Sequence, residues 1–155
     1  MDKKLESMLT KIKEKYKFNQ SEQDEYVTRN LDGYESLPIH THAVQNTHAF
    51  LVLQEMQELI LKGYRFVGTA PHSCYFGVAN NQVTLMLPDN VIQENMEQKR
   101  QELISEFEQQ RLAAIDKEVQ ILMASAAEEA EAKAAAALKK EQDEMANRLK
   151  SFLLS

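Results

Sequence analysis

Apolar positions along this chain change period twice, and each change marks an element. Leu5, Met8, Leu9, Ile12 and Tyr16 fall at i, i+3, i+4, i+7 and i+11, one face of a 3.6-residue period. The spacing predicts an amphipathic N-terminal helix within 1–18, packed on the domain or on a neighbouring chain. Residues 19–40, NQSEQDEYVTRNLDGYESLPIH, are polar and punctuated by Asp32-Gly33 and Pro38. They read as loop, with a short helical turn at most. A helix is expected over 43–62, with Ala49, Phe50, Val52, Leu53, Met56, Leu59 and Ile60 as its apolar face. Gly63 would end it in the left-handed conformation.

After Gly63 the period becomes two. Segments 64–69, 74–79 and 82–87 read as three strands, with Asn80-Asn81 as a two-residue hairpin turn. That turn sets Val78 opposite Val83, Phe76 opposite Leu85 and Cys74 opposite Leu87. All three pairs fall on one side of the sheet, against the preceding helix. Cys74 is then expected as a small core residue.

From Asn90 to Ser155 the helical period returns, and no glycine or proline interrupts it. Pro88-Asp89-Asn90 starts this arm, with Asp89 as the expected N-cap. As one helix the arm would run roughly 90 Å at 1.5 Å per residue. Leu112, Ile115, Val119, Leu122 and Ala126 step by 3, 4, 3 and 4, a heptad seam. Ile104 and Phe107 lie ahead of it. Ala126, Ala130, Ala134 and Leu138 step by four, a stutter that unwinds a left-handed supercoil. The seam resumes at Leu138, Met145, Leu149 and Phe152. The fold class expected is therefore α+β: a small head of a helix on a three-stranded antiparallel sheet, with a long, coiled-coil-like C-terminal helical arm. The division is 1–18 (N-terminal helix), 19–89 (head) and 90–155 (arm).

Charge narrows the partners. The net charge is −6, with six lysines against three acids in 1–17, but thirteen acids against nine bases in 92–155. An acidic chain without a basic face is not expected to bind nucleic acid generally. No apolar run is long enough to span a membrane, and residues 1–17 do not form a secretory signal. One cysteine excludes an internal disulfide. A soluble, cytoplasmic protein is expected.

One constellation carries candidate chemistry. His40, His42, His48 and His72 lie within PIHTHAVQNTH and the loop after the first strand. A helix leading away from the first three and a strand running back would return His72, and with it Cys74, to them. Imidazoles are common transition-metal ligands. H-x-H without a carboxylate at motif spacing matches no zinc signature, however, and neither HEXXH nor a Gly-rich phosphate loop is present. No catalytic residue is assigned, and no cofactor beyond that candidate transition metal.

The expected function is that of a non-enzymatic interaction or accessory protein. It oligomerises, or docks on another protein, through Ile104, Phe107, Leu112, Ile115, Val119, Leu122, Met145, Leu149 and Phe152. One alternative is a small metal-binding enzyme or sensor using the histidines. A second is membrane or nucleic-acid contact through the lysine-rich N-terminal helix.

Overall fold

The computed structural model describes residues 3–68 and 73–154, the Lys4 side chain excepted. Its elements in chain order are α1 (Lys3–Lys15), α2 (Gln20–Leu31), two 3₁₀ turns (Tyr34–Ser36 and Pro38–His40), β1 (Thr41–Asn46), α3 (Ala49–Leu61), β2 (Arg65–Phe66), β3 (Cys74–Phe76), β4 (Asn81–Met86) and α4 (Asp89–Leu154). The fold is α+β, with an antiparallel sheet and a long C-terminal helix. The described residues fall into two compact units. One is Asn19–Glu108; the other combines those before Asn19 with those after Glu108.

The Asn19–Glu108 unit holds a conventional core. β4 is central, flanked by β1 on one edge and by β2 and β3 on the other. Asn81, Val83 and Leu85 alternate inward along it, the period of a half-buried strand. α3 lies on that face, and its Val52, Met56 and Leu59 pack with Tyr64 against Val44, Val83 and Leu85. Gly63 ends α3 at φ +99, with its N–H donating to the Ile60 carbonyl at 3.0 Å and the Tyr64 N–H to Leu59 at 3.1 Å. A side chain there would be strained by φ alone, and its Cβ would meet Pro88 at 3.4 Å.

The sheet departs from the expected three-strand meander in three ways. First, it has a fourth strand. Residues 43–46, expected as the start of the helix, are in β1, which pairs with β4 along its whole length from Thr41↔Met86 to Asn46↔Asn81. The buried side chain of Asn81 donates to the carbonyls of Asn46 (3.3 Å) and Thr47 (3.0 Å), which turns the chain and starts α3 only at Ala49. Second, among the described residues β2 and β3 each pair with β4 and not with one another.

Third, β3 meets β4 with Cys74 opposite Val83 rather than Leu87, and Phe76 opposite Asn81 rather than Leu85. The connection is the four residues Gly77–Asn80, with the Gly77 N–H donating to the Asn80 carbonyl at 3.0 Å. An even displacement keeps every side chain on its expected face. All three residues of β3 are nevertheless exposed, so Cys74 is not a core residue.

α2 forms where loop was expected. Asn19 caps it, its side chain accepting from the Ser21 N–H at 3.0 Å and donating to Glu22 at 3.1 Å. Gln23, Val27 and Leu31, one turn apart, are its buried positions. Val27 and Leu31 meet Leu103 of α4, and Tyr26, Tyr34, Met96 and Ile104 close around them. α4 itself begins one residue earlier than expected. The Pro88 carbonyl accepts from the N–H groups of Val91 and Ile92, so Asp89 stands in the first turn rather than at the cap. There its carboxylate complements the helix dipole and pairs with Arg65 of β2.

Candidate protein-interaction surface

The second unit is built from α1 and the part of α4 beyond Glu108. The amphipathic stripe of α1 brings Leu5 and Met8 to Leu122, Ala126 and Ala130 of α4, around a cleft of about 230 Å³. Ser125, Glu129 and Lys133 complete its lining. Lower down, Glu118 accepts hydrogen bonds from the Lys15 ammonium at 2.7 Å and the Tyr16 hydroxyl at 3.2 Å. Arg111 donates to the Tyr16 carbonyl at 3.1 Å, capping the end of α1, and lies 5.5 Å from the Phe18 ring centroid. The helices are thus antiparallel, Lys15 lying by Glu118 and Leu5 further along α4.

The hydrogen bond to Glu118 holds the Lys15 ammonium above its ordinary value of 10.5, with Tyr16 adding to it. Reciprocally, Lys15 first and Tyr16 second hold the Glu118 carboxyl below 4.5. Both groups face solvent, so this contact positions α1 more than it stabilises the unit.

No described residue of this unit is buried. The heptad seam is divided. Ile115 and Leu122 are half-covered, whereas Leu112 is 55 % and Val119 36 % exposed. Beyond the reach of α1, Leu138, Met145, Leu149 and Phe152 are all more than half exposed. Ile104 and Phe107 belong to the other unit and are occupied within the chain. Ile104 packs on the α2 core, and the Phe107 ring stands 5.6 Å from Tyr26, whose hydroxyl reaches Glu106 at 3.4 Å. Their partner is α2, a helix the polar composition of 19–31 conceals.

The histidines are separated by β1. His40 is fully buried, with Nδ1 3.1 Å from the Glu35 carbonyl, its ring edge-on to Tyr34 at 5.2 Å, and Nε2 without a hydrogen-bond partner among the described residues. His42 stands on β1 opposite Leu85, 6.0 Å from the Tyr64 ring. His48 lies past the far end of the strand, at the α3 N-terminus, its N–H bonded to the Asn46 side chain. An extended run from His42 to Asn46 alone spans about 13 Å, too far for one ion. His72 lies outside the described residues. Among the described residues no group of three or more His, Cys, Asp or Glu is placed to hold a metal ion.

The contacts of Arg111, Glu118, Lys15 and Tyr16 were not foreseeable from spacing, since they join residues about a hundred apart. The only signal was the lysine-rich character of α1 facing an acid-rich arm. No helix among the described residues is long and apolar enough to cross a membrane. The chain matches no protein-family model, no curated protein and no solved structure.

Proposed function

We propose that this chain is a non-enzymatic interaction protein, of structural or accessory type, whose distal α4 oligomerises or docks on another protein. One observation carries the reading: the α1–α4 unit presents a row of apolar side chains from Leu112 to Phe152, yet none of its described residues is buried. Here two helices lie side by side with no turn or further element among the described residues packed across them, and each covers only the flank turned to its neighbour. Further helices, from a second copy or another protein, would complete a core. In the Asn19–Glu108 unit Phe50, Leu53, Phe66 and Phe76 are also exposed.

Light scattering coupled to gel filtration tests the reading. A dimer or higher oligomer is expected at about 50 µM, dissociating on dilution by mass action. A monomer at that concentration removes self-association and leaves docking on another protein. A monomer whose residues 109–154 are as protected from hydrogen exchange as α3 would need no partner at all, and the proposal would fall.

A further inference from the structure

The distal turns of α4 carry a second seam that α1 does not reach. Leu138, Gln142, Met145, Leu149 and Phe152 step by 4, 3, 4 and 3, and all lie in unbroken helix. Leu138, Met145 and Leu149 are 58, 65 and 58 % exposed. Glu141, Glu144 and Arg148, with Met145 and Leu149 of the seam, line a shallow depression. On the seam itself Gln142, Met145, Ala146 and Leu149 stand at i, i+3, i+4 and i+7, the spacing of the hole in knobs-into-holes packing. We infer that the occupant is the same segment of a second copy, running antiparallel. The inference rests on the proposed docking role of α4 and adds to it a partner, an orientation and a register.

Charge decides the orientation. Glu141 and Arg148 each immediately precede one of the two core positions Gln142 and Leu149, so both flank the same side of the seam. In a parallel pair the flanking positions would bring Glu141 to Ala146, and Arg148 to Leu153, of the second copy. Neither is an ion pair. In an antiparallel pair like flanks face each other. A two-fold axis between Asp143 and Glu144 sets Glu141 of each copy beside Arg148 of the other, and forms the attraction twice. The same axis packs Leu138 against Leu149 and Met145 against Gln142. It also sets Phe152 over Ala135, where the thin Ala-rich stretch leaves room for a ring. Gln142, polar within the seam, disfavours registers that would bury it away from water. The overlap ends near Lys133, where the cleft holding Leu5 and Met8 begins, so α1 and the second copy do not compete for the same turns.

The test is sedimentation velocity on the full chain and on two charge reversals, Glu141→Arg and Arg148→Glu, with circular dichroism to show that α4 remains helical. Each reversal alone places two like pairs across the axis and is expected to weaken the dimer about tenfold. An equimolar mixture of the two variants forms two ion pairs and regains the wild-type dissociation constant, as does the double reversal. Loss of a purely structural contact within one helix would not be rescued by mixing. Reversals without effect, or weakening that mixing does not rescue, overturn the antiparallel pairing but leave self-association through α4 standing. A wild-type chain that stays monomeric overturns the pairing as well, and the hydrogen-exchange measurement above then decides the broader role.

Discussion

The two units of this chain spend apolar residues differently. In Asn19–Glu108, Val44, Val52, Val83 and Leu85 close a core between one helix and a sheet, and Val27, Leu31 and Leu103 close another between two helices. In the α1–α4 unit comparable residues recur at regular spacing and none of those described is buried. The contrast is one of geometry rather than composition. A sheet face and a helix enclose a volume, and so do two helices with turns packed at their ends. Two helices side by side leave half of each stripe in water. The first unit therefore encloses cores of its own, and among the described residues of the second none is buried.

The contrast breaks most visibly under truncation of a core side chain. Leu85→Ala removes a fully buried leucine from the centre of the sheet and is expected to cost about 3 kcal/mol in denaturant unfolding, through lost burial plus an unfilled cavity. Leu122→Ala removes the same atoms from a half-exposed position, and at concentrations where the chain is monomeric it should cost under about 1 kcal/mol. If the chain self-associates, Leu122→Ala should instead show as a concentration-dependent loss. Equal costs at both sites in the monomer would mean that the α1–α4 unit has a core of its own.

A smaller effect of different origin is expected at Asn81, which is 3 % exposed and joins β4 to the turn between β1 and α3. Asn81→Ala leaves the carbonyls of Asn46 and Thr47 without this donor and should cost about 2 kcal/mol. Because those bonds fix where β1 ends, the loss should appear as faster exchange of the first-turn amides of α3. The α1–α4 unit should keep its exchange pattern. Faster exchange throughout both units would show that they unfold as one.

How much of this was legible follows from how strongly each element is over-determined. α4 was plain, because sixty-six residues without glycine or proline admit little else. β4 and the end of α3 were plain because alternation at Val83 and Leu85, and Gly63 after a helical run, each have one reading. β1 was hidden because Val44 is its only buried residue, so THAVQN shows no apolar alternation. α2 was hidden because one of its three inward positions is Gln23; the Asn19–Glu22 cap was the sole signal. The β3–β4 register was undecidable, since a period of two does not distinguish displacements that are themselves even. The histidine cluster followed from reading β1 as helix. Once that segment is extended, His42 and His48 separate. The nine apolar positions on α4 were visible as a pattern, but not which were already used: α2 takes Ile104 and Phe107, and α1 approaches Leu122.

The smallest expected effect asks how firmly α1 sits on α4. Glu118→Gln keeps the shape of the side chain and removes the charge that Lys15 and Tyr16 address. α1 amides should then exchange slightly faster than in the wild type at neutral pH, with Asn19–Glu108 unchanged. The ratio of wild-type to variant rates cancels the intrinsic pH dependence of exchange and isolates the contact. Glu118 is held below 4.5 when α1 is docked, so its contribution is fully present above that value and fades as pH falls through the lowered one. Lys15 is held above 10.5, so its contribution is present below that value and fades as pH rises through the raised one. The ratio should therefore be flat between about pH 5 and pH 10, and approach unity in acid as wild-type Glu118 becomes as neutral as the glutamine. A ratio of unity at neutral pH would mean that Leu5 and Met8 hold α1 without help from the ion pair. A ratio that persisted well below pH 4.5, after allowing for the lowered carboxyl, would mean that the glutamine disturbs α4 itself. Either way the measurement separates the polar latch at Glu118 from the apolar cleft at Leu122, the two contacts that hold α1 on α4.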